Sequence, residues 1–249
     1  METRDESRIT RAILGTPRTS YAKAWIRVMK YIPKSVRDRY RPQWRAFELE
    51  AKTAYGKLQR QFLRPPFPNL KNEGINLHLG CGSINHPKFI NIDGLPAPHV
   101  HYIRAIDNLA PFKDSSVNLI YACHCLEHIP HSKVIKVLNE WFRVLNTDGT
   151  LRLSVPDFDL LLNIYNDNGS DINTILGMLM GGQNYKFNFH LTAFNRTSLK
   201  NLLIETGFKQ VQEWQPGSCE LTTFDDFSDR KALINGKYYP VSLNLEAVK

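Results

Sequence analysis

Between residues 75 and 165, short apolar runs alternate with amphipathic stretches, and this alternation restricts the fold more than any other feature of the chain. Ile75–Leu79 is an apolar strand that runs into the turn Gly80-Cys81-Gly82, and Phe89–Ile92, His101–Ile103 and Val117–Ala122 read as further strands. Val134, Val137, Leu138, Trp141 and Leu145 recur at intervals of three and four, the spacing of one helix face. Asp148-Gly149 turns the chain into a strand over Thr150–Val155, Pro156 ends that strand, and Asp157–Tyr165 begins another helix. Ser198–Thr206 is a helix closed by Gly207, Phe208–Trp214 alternates as a strand, and so does the tail Val241–Val248. Strands alternating with helices predict an α/β fold, a parallel sheet with helices on its faces. Leu160, Leu161, Ile164, Ile175, Leu176 and Leu179 read as core, and Gln215–Pro240 as a long connection with Asp225, Asp226 and Asp229 on a solvated surface.

The N-terminal arm is different in kind. The chain carries a formal charge of +8, yet residues 1–64 hold 16 Lys and Arg against 6 acids, while residues 65–249 hold 16 against 18. Apolar residues step by three and four along Tyr21–Ile32 (Ala22, Trp25, Met29, Ile32) and along Trp44–Phe62 (Trp44, Phe47, Ala51, Tyr55, Leu58, Phe62), predicting two helices. Pro65, Pro66 and Pro68 cannot lie inside a helix, which separates a basic helical extension, 1–68, from a domain at 69–249. The arm has two readings: helices that pack on the domain with charges toward water, or a basic, tryptophan-bearing surface that meets anionic lipid. No apolar run approaches the roughly 18–20 residues that span a bilayer, and METRDESRIT has no signal-peptide core behind it. Cys81, Cys123, Cys125 and Cys219 follow no disulfide spacing. The expected location is cytoplasmic, with possible peripheral contact at the inner membrane face through residues 1–64. A nucleic-acid partner is not expected, because the basic charge is confined to the arm and no Asn-Pro-Pro-Tyr tetrapeptide occurs.

Ligand chemistry gathers where the first two strands end. Glycines after Leu79 let the backbone approach a ligand closely, and open sheets bind ligands at the carboxyl ends of their strands. Asp93 ends the next strand segment thirteen residues after Gly80, placed to accept both hydroxyls of a ribose. A dinucleotide fingerprint needs a third glycine and an acid about 20 residues on; Asn85 stands at the third position and the acid comes too early.

The runs Leu77–Ser83 (LHLGCGS), Phe89–Gly94 (FINIDG) and Tyr121–Pro130 (YACHCLEHIP) resemble class I S-adenosylmethionine (SAM)-dependent methyltransferases, as do EWFRVL at 140–145, LRLSVPD at 151–157 and ETGF at 205–208. More closely, they are similar to a bacterial branch associated with cell-surface saccharide biosynthesis. The resemblance covers roughly Gly74 to Phe208 and implies a Rossmann-like, seven-stranded, mainly parallel sheet. It also implies that Leu79, Gly80, Cys81 and Gly82 approach the methionine part of SAM, and that Asp93 and Gly94 hold the ribose. Ile106 and Asp107 would lie near adenine, with Cys123 and His124 facing the sulfonium. The family usually has an acid where Asn118 stands, and the nine residues from Gly80 to Lys88 leave room for only a single helical turn.

Cys123, His124, Cys125, Glu127, His128 and His131 crowd into nine positions. Zinc needs about four converging ligands, and no second Cys/His pair follows at a typical spacing, so no metal is assigned; Glu127 and His128 are expected to anchor the start of the next helix. Methyl transfer from SAM is a direct displacement, in which alignment matters most. A hydroxyl acceptor must also lose a proton, and histidine is suited to take it. His190, in an insert after the fifth strand that begins Gly181-Gly182-Gln183, is the first candidate, with Asp157 and His128 behind it. The expected reaction is O-methylation of a sugar or related small-molecule acceptor in surface-polysaccharide synthesis. The rivals are a carboxyl or N-methyltransferase acting on a small metabolite, a SAM-binding adaptor without turnover, and a nucleic-acid methyltransferase.

Overall fold

The computed structural model describes residues 31, 33–62, 64–68, 74–219 and 221–249; apart from Tyr31, the helix expected over Tyr21–Ile32 falls outside them. Two compact units divide at Lys52 and Thr53. Helix α1 (Lys34–Phe62) starts directly after Pro33, earlier than the hydrophobic pattern indicates, and ends where that pattern ends, before the proline run. Among the described residues, no helix is long and apolar enough to cross a membrane.

In the second unit, the last turns of α1 do not bury the apolar face read from the sequence. Tyr55, Leu58 and Phe62 are exposed by 59%, 54% and 78%. The helix contacts its unit through Gly56, where a Cβ would strike the Pro96 carbonyl, and through Arg60, whose guanidinium donates to the carbonyls of Val100 and His101. A small residue and a long cation dock where a closely approaching backbone leaves carbonyls to satisfy.

Seven strands form the central sheet: β1 (Ile75–Leu79), β2 (Ile90–Asp93), β3 (Tyr102–Ile103), β4 (Val117–Cys123), β5 (Leu145–Pro156), β6 (Gln210–Glu213) and β9 (Ser242–Val248), in the order β3-β2-β1-β4-β5-β9-β6. The pairs from β3 through β5 are parallel, with Leu77 opposite Ile90 on one side and Ile120 on the other. β9 is antiparallel to both β5 and β6. Since β6 ends at the carboxyl edge and the next segment stays on that side, the final strand can only run back. This is the Rossmann-like, mainly parallel sheet with flanking helices that the resemblance implies.

Helices α2 (Val134–Val144) and α5 (Arg196–Thr206) cover one face. Val137, Leu138 and Trp141 of α2 and Leu199 and Leu203 of α5 join Leu77, Leu79, Ile120, Ala122, Leu151 and Leu153 in the main core. Asn195 caps α5 in a reciprocal capping box with Ser198, and Gly207 closes it in the left-handed conformation. On the other face, Phe89, Leu119, Tyr121 and Trp214 form a second cluster, packed by Phe224. Phe224 belongs to the stretch read as a solvated connection, and so does Asp226, which is buried and accepts the Tyr121 hydroxyl at 2.6 Å. That stretch also holds a hairpin, β7 (Lys231–Ile234) and β8 (Lys237–Pro240), turning at Asn235-Gly236. Both turn residues have positive φ, as a two-residue hairpin turn demands. Helix α3 (Phe158–Asp167) packs Leu161 and Ile164 with Ile175, Tyr239 and Val241 in a third cluster, and α4 (Leu176–Met180) follows it.

Candidate active site

The carboxyl ends of β1, β2 and β4 meet at one edge of the sheet. Gly80 and Gly82 both have positive φ, and a Cβ on Gly80 would strike Cys125. Around Gly82 there is nothing within 4 Å of a Cβ position, which leaves open space beside its backbone. Asp93 ends β2 with one carboxylate oxygen accepting from the Gly82 amide at 2.9 Å and the other from the Leu95 amide at 2.8 Å. His99 Nε2 bonds the Gly82 carbonyl at 2.9 Å, so the glycine turn is held from both sides. Burial pushes the Asp93 carboxyl up from its usual range, against the pull of those amides. Each of its oxygens keeps a lone pair for a hydroxyl. Leu79 is fully buried, so it could meet a ligand only through its backbone. Between Gly80 and Lys88 the chain makes hydrogen-bonded turns, Ile84 N to Cys81 O and Phe89 N to His86 O, with no helix where a single helical turn was expected.

The segment carrying Ile106 and Asp107 is fastened by α2. Trp141 Nε1 donates to the Ile106 carbonyl at 2.8 Å, Glu140 accepts from the Leu109 amide at 2.8 Å, and Arg143 bridges Glu140 and Asp114. Asp107 itself is exposed in a turn. Glu140, Trp141 and Arg143 therefore have a mechanical role, fixing the loop that follows β3.

At the end of β4, His124 takes a left-handed conformation, φ 50°, and the chain enters a 3-10 turn at Leu126–His128. Burial pushes the thiols of Cys81, Cys123 and Cys125 well up, so they stay protonated and are poor nucleophiles. All four cysteines are unpaired. Glu127 is 1% exposed, with both carboxylate oxygens cut off from solvent. His124 Nδ1 stands 3.3 Å from its Oε1, and His190 Nε2 stands 3.9 Å from the same atom. Burial raises the Glu127 carboxyl, but the contact with His124 and the positive fields of His124 and His128 outweigh that, and it remains ionised. Glu127 and His128 do not anchor the following helix: α2 begins at Val134 with no side-chain cap.

The insert after β5 is stitched onto this turn. The amides of Leu191 and Thr192 donate to the Glu127 carbonyl, Thr192 Oγ1 donates to the Ile129 carbonyl at 2.6 Å, and His128 Nδ1 bonds the Phe189 carbonyl at 3.0 Å. The rings of His128 and His190 lie 5.0 Å apart, edge to face. Further up the insert, the Phe187 ring rests on Gly94, where a Cβ would come within 2.9 Å of it. Burial, and then the charge of Asp93, raise the Tyr185 hydroxyl. Tyr185 and Phe187 were not singled out from the sequence; two aromatics in a glycine-led insert are the signal that would have found them. Among the predicted acceptor-side residues, His190 and His128 come together. Asp157 is engaged elsewhere, capping α3 by accepting from the Asp159 amide at 3.0 Å. A small apolar recess beside His190 is lined by Pro156, Phe158, Leu161, Met178 and Leu179. Leu179 packs on the third cluster, as its core reading predicts, whereas Leu176, also read as core, is 45% exposed.

A family profile described as a methyltransferase domain matches residues 51–213, about two thirds of the chain, from the last turns of α1 through β6. The chain belongs to that family. It is a SAM-dependent methyltransferase, and the open space beside Gly82 next to the Asp93 carboxylate fits the cofactor. No curated protein matches it. Similar solved structures include a Thermotoga maritima SAM-dependent methyltransferase, a possible histamine N-methyltransferase, at 16% identity over 86% of this chain and 99% of that one, with a TM-score of 0.48. An Archaeoglobus fulgidus SAM-dependent methyltransferase matches at 16% identity over 86% and 98%, with a TM-score of 0.43. The 1,6-didemethyltoxoflavin-N1-methyltransferase of Burkholderia thailandensis, solved with S-adenosylhomocysteine, matches at 14% identity over 81% and 77%, with a TM-score of 0.42.

Proposed function

We propose that this methyltransferase methylates an oxygen of a sugar or related small polar acceptor in surface-polysaccharide synthesis, with Asp93, Gly94 and the Gly80–Gly82 turn on the cofactor and His190 and His128 on the acceptor. Bound SAM supplies a sulfonium methyl group for direct displacement. The protein's own task is to align the acceptor and help its hydroxyl lose a proton. The observation that carries this reading is a buried, ionised carboxylate, Glu127, with imidazoles on two sides, on the same turn that receives the insert. Burial lowers the His190 imidazole more than Glu127 raises it, so His190 keeps a lone pair at neutral pH. Phe187 and Tyr185 roof the cofactor acid from the same insert, so one loop reaches both reactants. A carboxylate acceptor is already deprotonated and does not need that carboxylate–imidazole group, which favours a hydroxyl acceptor over a carboxyl one.

The test is release of S-adenosylhomocysteine from SAM with a panel of saccharides, compared with small amines and carboxylic acids. Turnover on saccharides that falls at least tenfold in His190→Gln, with SAM affinity retained, supports the proposal. Turnover confined to amines or acids would overturn it.

A further inference from the structure

We propose that Glu127, His128 and His190 form a binding site for one divalent first-row transition cation. This deepens the oxygen-acceptor reading and rests on it for the cation's catalytic use, but not for its binding.

One ligand atom from each residue lies within 4.8 Å of the other two. Three points so related share a centre no farther than about 2.8 Å from any of them (4.8 Å divided by √3). Bonds from nitrogen or oxygen to zinc are about 2.0–2.2 Å, so each atom need move by only about 0.7 Å to bind. Side-chain rotation covers that distance without moving the backbone.

The surroundings prepare the imidazoles for this role. A carbonyl can only accept, so the His128 Nδ1 facing the Phe189 carbonyl at 3.0 Å carries the hydrogen, which leaves Nε2 as the ring atom available to a cation. His190 is also hydrogen-bonded to the backbone at Met178, and its Nε2 faces Glu127. Metal-binding histidines commonly have their second nitrogen oriented in this way. The third ligand is a carboxylate buried to 1% exposure that faces imidazoles, His124 at 3.3 Å and His190 at 3.9 Å from Oε1. A desolvated carboxylate is costly unless positive charge compensates it, and a bound cation supplies that charge. His124, 3.3 Å from Glu127 and held by Ser242 at 2.8 Å, orients the carboxylate from behind.

Two imidazoles and one carboxylate favour zinc, manganese, iron or cobalt over magnesium and calcium, which prefer all-oxygen shells. Three protein ligands leave coordination positions open, as in catalytic rather than structural sites. A hydroxyl bound at an open position loses its proton more readily, so His190 would serve the acceptor through the cation instead of as a free base. The sequence alone did not lead here because His190 is 62 residues from His128 and no Cys/His spacing links them.

The experiment uses untagged full-length protein freed of metal by a chelator. Cobalt(II) is followed by visible absorption and zinc by calorimetry, for the wild type, Glu127→Gln and His190→Gln, each with SAM binding as the measure of folding. The expected result is one equivalent of cation bound, visible cobalt bands without a near-ultraviolet thiolate band, and at least a tenfold loss of affinity in both variants with SAM affinity retained. No cation binding by a SAM-competent wild type overturns the site, as does equal binding by the variants, or a thiolate band that places the metal on cysteine. Since none of these readouts requires turnover, failure of the cation site and failure of the oxygen-acceptor reading are separately visible.

Discussion

His78 makes the stability of this methyltransferase depend on pH in a direction that can be worked out. It lies in the middle of β1, 1% exposed, stacked on Phe224 with an interplanar angle of 7° and flanked by Phe89 and Tyr121. Its Nδ1 accepts or donates no hydrogen bond to any described residue. Burial drives its pKa from 6.5 down to about 4; the Asp226 carboxylate pulls upward, and His99 and His86 push it further down. A group with a lowered folded-state pKa stabilises the fold above its unfolded pKa and loses that contribution as pH falls toward the folded value. Between pH 7.5 and 4.5 the loss is about 2.5 kcal/mol, from about 1.4 kcal/mol per pH unit over the interval between the two values. At this chain length that corresponds to roughly 5–10 °C of melting temperature. His78→Phe keeps a ring against Phe224 and removes the titration. Thermal unfolding of both proteins at the two pH values measures the difference: the wild type should lose about 5–10 °C more on acidification than the variant. Equal losses would refute the buried, neutral histidine.

Four further outcomes are expected. Asp93→Asn keeps the shape but removes the charge that would hold the ribose hydroxyls in the proposed site, two contacts each worth about 1.5–3 kcal/mol, so SAM affinity measured by calorimetry should fall about 100-fold or more. Phe187→Ala removes the ring resting on Gly94 and should weaken SAM binding several-fold while leaving the melting temperature within a few degrees; unchanged affinity would mean that the insert does not cover the cofactor. Trp141→Phe removes the bond to the Ile106 carbonyl and part of the core, and should cost about 1–3 kcal/mol in denaturant unfolding. Truncation to Thr53, which spares Gly56 and Arg60, should leave SAM affinity unchanged and reduce sedimentation with anionic vesicles; equal sedimentation would remove the lipid reading of the arm.

Features that one segment can specify were legible in the residues themselves. The Gly80–Gly82 turn, Asp93 at the end of its strand and the one-sided pattern of Val134, Val137, Leu138 and Trp141 come from local steric limits and from the helix and strand periods, which no distant residue alters. Asn235-Gly236 carried an equally local hairpin signal, but its flanking strands are short and half exposed, so they lacked the apolar alternation that marks β9. Packing decided the rest. Asn76 and His78 look like the polar side of β1, yet both are buried because the other face of the sheet is covered as well. The stretch around Asp226 and Phe224 reads as surface but closes that face, since a buried tyrosine hydroxyl at position 121 needs an acceptor. The sharpest case is Glu127. Its sequence neighbours suggest a helix anchor, whereas the chain fold turns its carboxylate inward and brings His190 to it from the insert. Hydrophobic period and turn chemistry act over a few residues, so the residues alone determined the main strands, the main helices and the Gly80–Gly82 turn. Convergence of side chains across 62 positions depends on where the sheet places its loops, so only the tertiary structure brought His190 to Glu127 and His128.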